Sequence, residues 1–126
     1  MNAKVVLLVE DEALILMDIE AALVDEGFDV VTAINGAKAM EVFEADPAGI
    51  DAIVTDINLG KGPNGWELAS HIRAHQSEIP VVYMSGDSSH EWSARGVPES
   101  TMIPKPFVHA QVITALSTLM NHADQA

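Results

Sequence analysis

The chain has no cysteine, which removes disulfides, thiolate metal centres and a cysteine nucleophile and suits a reducing compartment. Cations are also scarce. Six Lys and Arg stand against 19 Asp and Glu, for a formal net charge of −13, and the six are spread without forming a basic patch. Contacts to a nucleic-acid backbone need clustered cations, so direct nucleic-acid binding is not expected. Long apolar runs are missing too: each falls well short of the ~20 residues that span a bilayer, and the opening "MNAKVVLLVEDE" sets acids where a signal peptide would carry its cleavage site. Membrane insertion is therefore not expected, and a cytoplasmic location is. Most of the surplus acid serves only to keep the surface soluble. The informative acids are those at the ends of apolar runs.

What is present suits one packed domain. Of 126 residues, 48% are apolar and 20% charged, enough for a single core and too little chain for two, so residues 1–126 are read as one domain. The runs "KVVLLV" (4–9), "FDVVTA" (28–33), "IDAIVT" (50–55) and "PVVYM" (80–84) read as buried strands, and "STMI" (100–103) as a fifth that stops at Pro104. Between them the apolar period becomes helical. Ile15, Leu16, Ile19, Ala22 and Leu23 form one stripe ended by Gly27, with Asp18 and Asp25 facing away; Ala39, Met40 and Phe43 form a second; Leu68, Ala69 and Ile72 a third. A last helix is expected to open at Pro106 and to carry Val108, Val112, Leu116 and Leu119 inward. Residues 87–100 contain Gly96 and Pro98, so the helix there should be short. Strand–helix alternation predicts a doubly wound α/β fold, a five-stranded parallel sheet flanked by five helices.

In such a sheet the site lies at the carboxyl ends of the strands. There the first strand meets Glu10, Asp11 and Glu12, the third Asp56, the fourth Ser85 and Gly86, and the fifth Lys105 in "PKPF". Two carboxylates about 4 Å apart repel by roughly 4 kcal/mol at an effective dielectric of about 20. Lys105 can answer part of that charge. A hard divalent ion such as Mg²⁺ matches the rest, and it commonly takes substrate phosphate as well. With such an ion Asp56 can attack a phosphoryl group, while Ser85 and Lys105 hold its oxygens. Taken singly, Asp56 could be a turn residue and Lys105 a surface lysine; their coincidence at one sheet end argues otherwise. Glu12 reads as charge complementing a helix dipole. The five histidines show no metal-ligand arrangement with an acid pair and read as surface or packing residues, whereas Trp66 and Trp92 read as packing or partner surface and Tyr83 as core.

Over essentially its whole length the chain resembles the response-regulator receiver domains of two-component signalling. The resemblance rests on "LLVEDE", "IVTDINLG", "MSG" and "PKPF" in the family's order and near its spacing. It implies the flavodoxin-like, CheY-like form of the fold, with Asp56 as phosphoacceptor, Glu10 and Asp11 as the acidic pair, and Asp11 as the direct Mg²⁺ ligand. Glu10 would act indirectly, and Asn58 would lend a backbone carbonyl. Ser85 matches the family hydroxyl and Lys105 the family lysine, with a cis peptide at Lys105–Pro106. Three features depart from the pattern. "NLGKGPNG" replaces the usual Met-Pro and is one residue longer, Met102 stands where most members carry a switch aromatic, and the fourth helix is short. The "NLG" loop, the "YMSGD" strand end and the missing aromatic together resemble an alphaproteobacterial subgroup with a Phe-Ala-Thr-Gly-Tyr-type signature. The implied function is a stand-alone regulator that accepts phosphate from a histidine kinase or phosphotransfer protein, hydrolyses it slowly without being a turnover enzyme, and signals to a downstream protein. Two rivals are a phosphorylation-independent binding module on the same fold and an aspartate-nucleophile phosphatase. The phosphatase would want an acid at position 58, where Asn58 stands.

Overall fold

The computed structural model describes residues 3–125, with side chains as far as His122. Its strands are β1 (Val5–Val9), β2 (Asp29–Ala33), β3 (Ala52–Asp56), β4 (Val81–Ser85) and β5 (Ser100–Pro104). Its helices are α1 (Ala13–Asp25), α2 (Gly36–Ala45), α3 (Gly65–His75), α4 (Trp92–Arg95) and α5 (His109–Gln125), with single 3₁₀ turns at Pro47–Gly49 and Ser89–Glu91. All neighbouring strands are parallel, in the order β2-β1-β3-β4-β5. This is the expected doubly wound α/β architecture.

Central strands must be apolar on both sides, and β3 and β4 are buried at every position, whereas the edge strand β2 is only half-buried. Alternate residues of the strands feed two cores. Leu7, Ile53, Val81 and Tyr83 meet Phe43, Leu68 and Ile72 on one side; Val6, Val54, Val82 and Met84 meet Ile19, Leu23, Val112 and Leu116 on the other. Burying a Leu or Ile side chain stabilises by about 1.5–3 kcal/mol, so the helical stripes read from the sequence dictate which face each helix presents.

The register places the strand ends beside one another. Val9 pairs with Thr55, Asp56 with Met84, and Ser85 with Pro104. One step past these pairs, Glu10 therefore comes beside Asp56, and Lys105 beside Ser85. Strand order reverses between β1 and β3, which opens the crevice where such sheets bind ligands. The helix starts are set locally. Asn35 Oδ1 accepts from Lys38 N at 2.8 Å, and Asn64 and Glu67 close a reciprocal capping box at 2.9 Å each way. Gly65 is required by close approach, since its N–H donates to the Ile57 carbonyl at 2.8 Å and a Cβ there would stand 2.3 Å from the Asp56 carbonyl oxygen.

The short fourth helix is as expected, and the Lys105–Pro106 peptide is cis. The start of the last helix is not where the sequence put it. α5 begins at His109, so Pro106 lies outside its first turn, and Val108 is 64% exposed instead of facing inward. The cause is a cap: Gln111 Oε1 accepts from the Val108 N–H at 2.9 Å, which makes Val108 the residue before the helix.

Candidate functional site

Three strand ends converge on one ammonium group. Lys105, just past β5, donates from Nζ to Glu10 Oε1 at 3.0 Å and to Asp56 Oδ2 at 3.1 Å, and Glu12 Oε1 lies 3.7 Å away. Each carboxylate is further fixed by the backbone beside it. Glu10 Oε2 accepts from Glu12 N at 3.0 Å, and Asp56 Oδ1 accepts from Ile57 N at 2.7 Å. Glu10 has no exposed surface and Asp56 is 7% exposed. Asp11, by contrast, is exposed, and one oxygen from each of Glu10, Asp11 and Asp56 lies within 4.8 Å of the others.

Charge at this rim does not balance. Burial pushes the Glu10 carboxyl up from 4.5 to about 7, aided by the Asp56 charge and opposed by the Glu12 N–H and Lys105. Burial alone would lower the Lys105 amine, but its hydrogen bonds to Glu10 and Asp56 and their charges outweigh that and hold it above its ordinary value. A single ammonium shared by three acids leaves a carboxylate held out of water and short of positive charge. The three ligand atoms gathered at the rim, from Glu10, Asp11 and Asp56, are all carboxylate oxygens, the set that hard divalent ions prefer. The site therefore fits such an ion on its own chemistry.

Ser85 and Asn58 join the rim less directly. Ser85 is buried, and its Oγ accepts from the Ser88 N–H at 2.6 Å; its carbonyl accepts from Lys105 N at 2.7 Å. Asn58 Nδ2 donates to Asp87 Oδ1 at 3.1 Å, and Ser88 Oγ donates to the same oxygen at 3.2 Å. The loops after β3 and β4 are thus tied together across the crevice. Asp87 and Ser88 were not singled out from the sequence. The signal available was the run "SGDSS", whose short polar side chains bond to nearby backbone and to each other in turns. Glu12 does stand at the α1 N-cap, although its carboxylate makes no cap bond and faces Lys105.

Beside the rim a groove of roughly 550 Å³ is lined by Leu14, Ile15, Pro106 and Phe107 together with Glu12, Asp18 and Lys105. Leu14, at its edge, is 83% exposed. Below the rim, Met102 pairs with Tyr83 in the sheet and is half-buried, while the Tyr83 hydroxyl accepts from the Val97 N–H at 3.1 Å. Trp66 is buried against Tyr83, with ring centroids 4.7 Å apart, so both are packing residues as expected. No helix among the described residues is long and apolar enough to cross a membrane.

Comparison with known proteins agrees with this geometry. The family model for the response regulator receiver domain matches residues 6–117. A response regulator receiver protein from Sinorhizobium medicae is 43% identical, superposes with a TM-score of 0.92, and is matched over 97% of this chain and 98% of its own. The transcriptional regulatory protein PrrA of Mycobacterium leprae is 33% identical over 91% of this chain, which spans only 49% of that protein. The receiver domain of the sensor histidine kinase PA1611 from Pseudomonas aeruginosa, solved with a magnesium ion coordinated in its active-site cleft, shares the fold at a TM-score of 0.79 and 24% identity, over 95% of this chain and 99% of its own.

Proposed function

The chain belongs to the response-regulator receiver family, and from that premise we propose that Asp56 takes up a phosphoryl group from a phosphohistidine on a kinase or phosphotransfer protein. The observation that carries this reading is the convergence of Glu10, Asp56 and Lys105 on shared hydrogen bonds of 3.0 and 3.1 Å beside the exposed Asp11. In the step, an Asp56 carboxylate oxygen forms the new P–O bond as the P–N bond to the donor imidazole breaks, and the imidazole leaves with a proton. Lys105 already contacts Asp56 Oδ2 and stays charged, so it neutralises the oxygens of the incoming group. The Ile57 N–H holds the other carboxylate oxygen and orients the nucleophile. Ser85 would leave Ser88 N to reach the phosphoryl group. Asp11, Asp56, Glu10 indirectly and the Asn58 carbonyl would hold Mg²⁺, which supplies charge neutralisation when bound; a magnesium-bearing relative on the same fold supports this.

The donor has to dock at the rim, and the groove between Leu14 and Phe107 offers apolar surface there. Signalling through protein contacts as a single domain over residues 1–126, in the cytoplasm and without turnover of a free substrate, completes the reading. The "NLG" loop, the "YMSGD" strand end and Met102 support the alphaproteobacterial subgroup. The test is phosphoryl transfer from a histidine kinase or acetyl phosphate to the protein and to Asp56→Asn. Labelling confined to the native protein supports the assignment, and equal labelling of both rejects it. The half-buried Met102 in place of a switch aromatic favours one second reading, a receiver-fold module whose partner affinity ignores phosphorylation. Equal partner affinity before and after labelling would establish that alternative.

A further inference from the structure

α3 starts against the end of β3 and runs away from the rim, so its last turn lies about 10–15 Å along the axis from the phosphoacceptor end. Two histidines stand there four residues apart on one face. Their ring centroids are 4.8 Å apart, and Phe43 of α2 packs edge-on against both at 6.2 and 5.8 Å. From the same helix α2, Glu44 places Oε1 3.4 Å from His71 Nε2.

Packing accounts for the rings but not for the nitrogens. His71 Nε2 is buried and has no hydrogen-bond partner among the described residues, although a carboxylate oxygen faces it. The 3.4 Å separation is long for an N–H···O bond, which favours about 2.7–3.2 Å. It matches instead the distance between two donors on one tetrahedral ion: metal–donor bonds of about 2.0–2.1 Å give an edge of ~3.3–3.4 Å. His75 Nδ1 lies 3.1 Å from the His71 carbonyl oxygen, which can only accept, so Nδ1 is the donor there and, in the neutral ring, Nε2 carries the lone pair. Metal-ligating histidines are commonly oriented by such a bond, and histidines at i and i+4 on one helix face recur in zinc sites.

We propose that Glu44, His71 and His75 form a second metal site, bridging α2 and α3, for a borderline divalent ion such as Zn²⁺. Its donor set sorts it from the rim, because imidazole suits Zn²⁺, Ni²⁺ and Cu²⁺ whereas the all-carboxylate rim suits Mg²⁺. Among the described residues only Glu10, Asp11 and Asp56 already gather three ligand atoms, nitrogen or oxygen, within 4.8 Å of one another, so the third donor of the α2–α3 site has to move in. Here two donors stand at ligand spacing, and a shift of the exposed His75 or Glu44 side chain closes the third position.

The experiment is calorimetric titration of the full chain with Zn²⁺ in the presence of excess Mg²⁺, paired with the visible spectrum of bound Co²⁺. One equivalent of Zn²⁺ and a tetrahedral Co²⁺ spectrum are expected. Since loss of even a supporting hydrogen-bond partner weakens metal sites roughly 10–100-fold, loss of a ligand in His75→Gln or Glu44→Gln should weaken Zn²⁺ by at least tenfold while Asp11→Asn leaves it unchanged. His75 is exposed, so its variant keeps the fold, which circular dichroism checks. Zn²⁺ affinity unchanged in His75→Gln and Glu44→Gln, competition by Mg²⁺, loss in Asp11→Asn, or several weak equivalents from an adventitious ion only would overturn the proposal. None of these outcomes bears on phosphoryl uptake at Asp56.

Discussion

The rim around Asp56 and the segment from Gly86 to Ser100 meet at Ser85, the last residue of β4, yet opposite means hold them. At the rim, strand register fixes the positions and charge works against them, with one lysine answering Glu10, Glu12 and Asp56. In the segment the charges of Asp87, Glu91, Arg95 and Glu99 reach solvent, and there is little regular structure: α4 spans only Trp92–Arg95, and Glu99 sits at φ +57°, a conformation uncommon outside glycine. Distant side chains pin it instead. Tyr83 accepts from Val97 N, Arg73 donates to the Pro98 and Glu99 carbonyls, and Trp92 donates to Ser100 Oγ, which donates to Val97. A register breaks only with the sheet, whereas these pins can break one at a time. A pull on Ser85, which joins the two regions, should therefore reorder the segment before it disturbs the rim.

The largest expected effect removes the contrast at its source. Asp56→Asn should abolish phosphoryl uptake, and amide shifts on addition of acetyl phosphate, extending through residues 87–100 in the native protein, should vanish. Shifts confined to the loops around Asp56 in the native protein would mean the two regions are not coupled. Next comes Lys105→Met, which leaves fully buried Glu10 beside Asp56 without a cation. Breaking a buried ion pair in this way costs about 3 kcal/mol, read by urea unfolding, and Glu10→Gln in the same chain should recover most of it. If the double variant is no better than the single, charge is not what burdens the rim.

Tyr83→Phe tests the segment, because it strands the buried Val97 N–H at a cost of about 1–3 kcal/mol, with faster hydrogen exchange at residues 97–100. This cost depends on pH. Burial raises the Tyr83 phenol above 10.0 against the Val97 bond and the Arg73 charge. The neutral phenol is thus favoured by folding, and the stability linked to it is intact below pH 10 and lost as pH rises through the folded value. The disadvantage of the Phe variant should accordingly shrink above pH 10; a gap that widens there would contradict the assignment. Smallest is Trp92→Phe, which removes one partly exposed bond to Ser100 and should cost about 1 kcal/mol, measurable as a lower urea midpoint with unchanged phosphoryl uptake.

Legibility in the sequence follows the same division. Asp11, Asp56 and Lys105 each end an apolar run, and strand ends in a parallel sheet must lie at one rim, so their meeting could be read without coordinates. The Asn58–Asp87 tie and the Arg73 clamp could not, because each depends on how loops or a helix end approach one another across more than twenty residues of chain. Val108 misled for a local reason: its apolar side chain fits the α5 stripe, but Gln111 caps its N–H and turns it outward. The approach of Glu44 to His71 was out of reach for a tertiary reason, since it arises only once α2 and α3 pack through Phe43.

By itself the sequence determined the class of fold, the faces each helix buries and the acids that face the crevice, because burial of apolar stripes and the parity of a parallel sheet leave few alternatives. Only the tertiary structure decided that Lys105 is shared by Glu10 and Asp56, that Asn58 is tied to Asp87, and that His71 faces a carboxylate. Hydrogen bonds and ion pairs act over about 3–4 Å, and no pattern along a chain fixes distances that short between elements that meet only on folding.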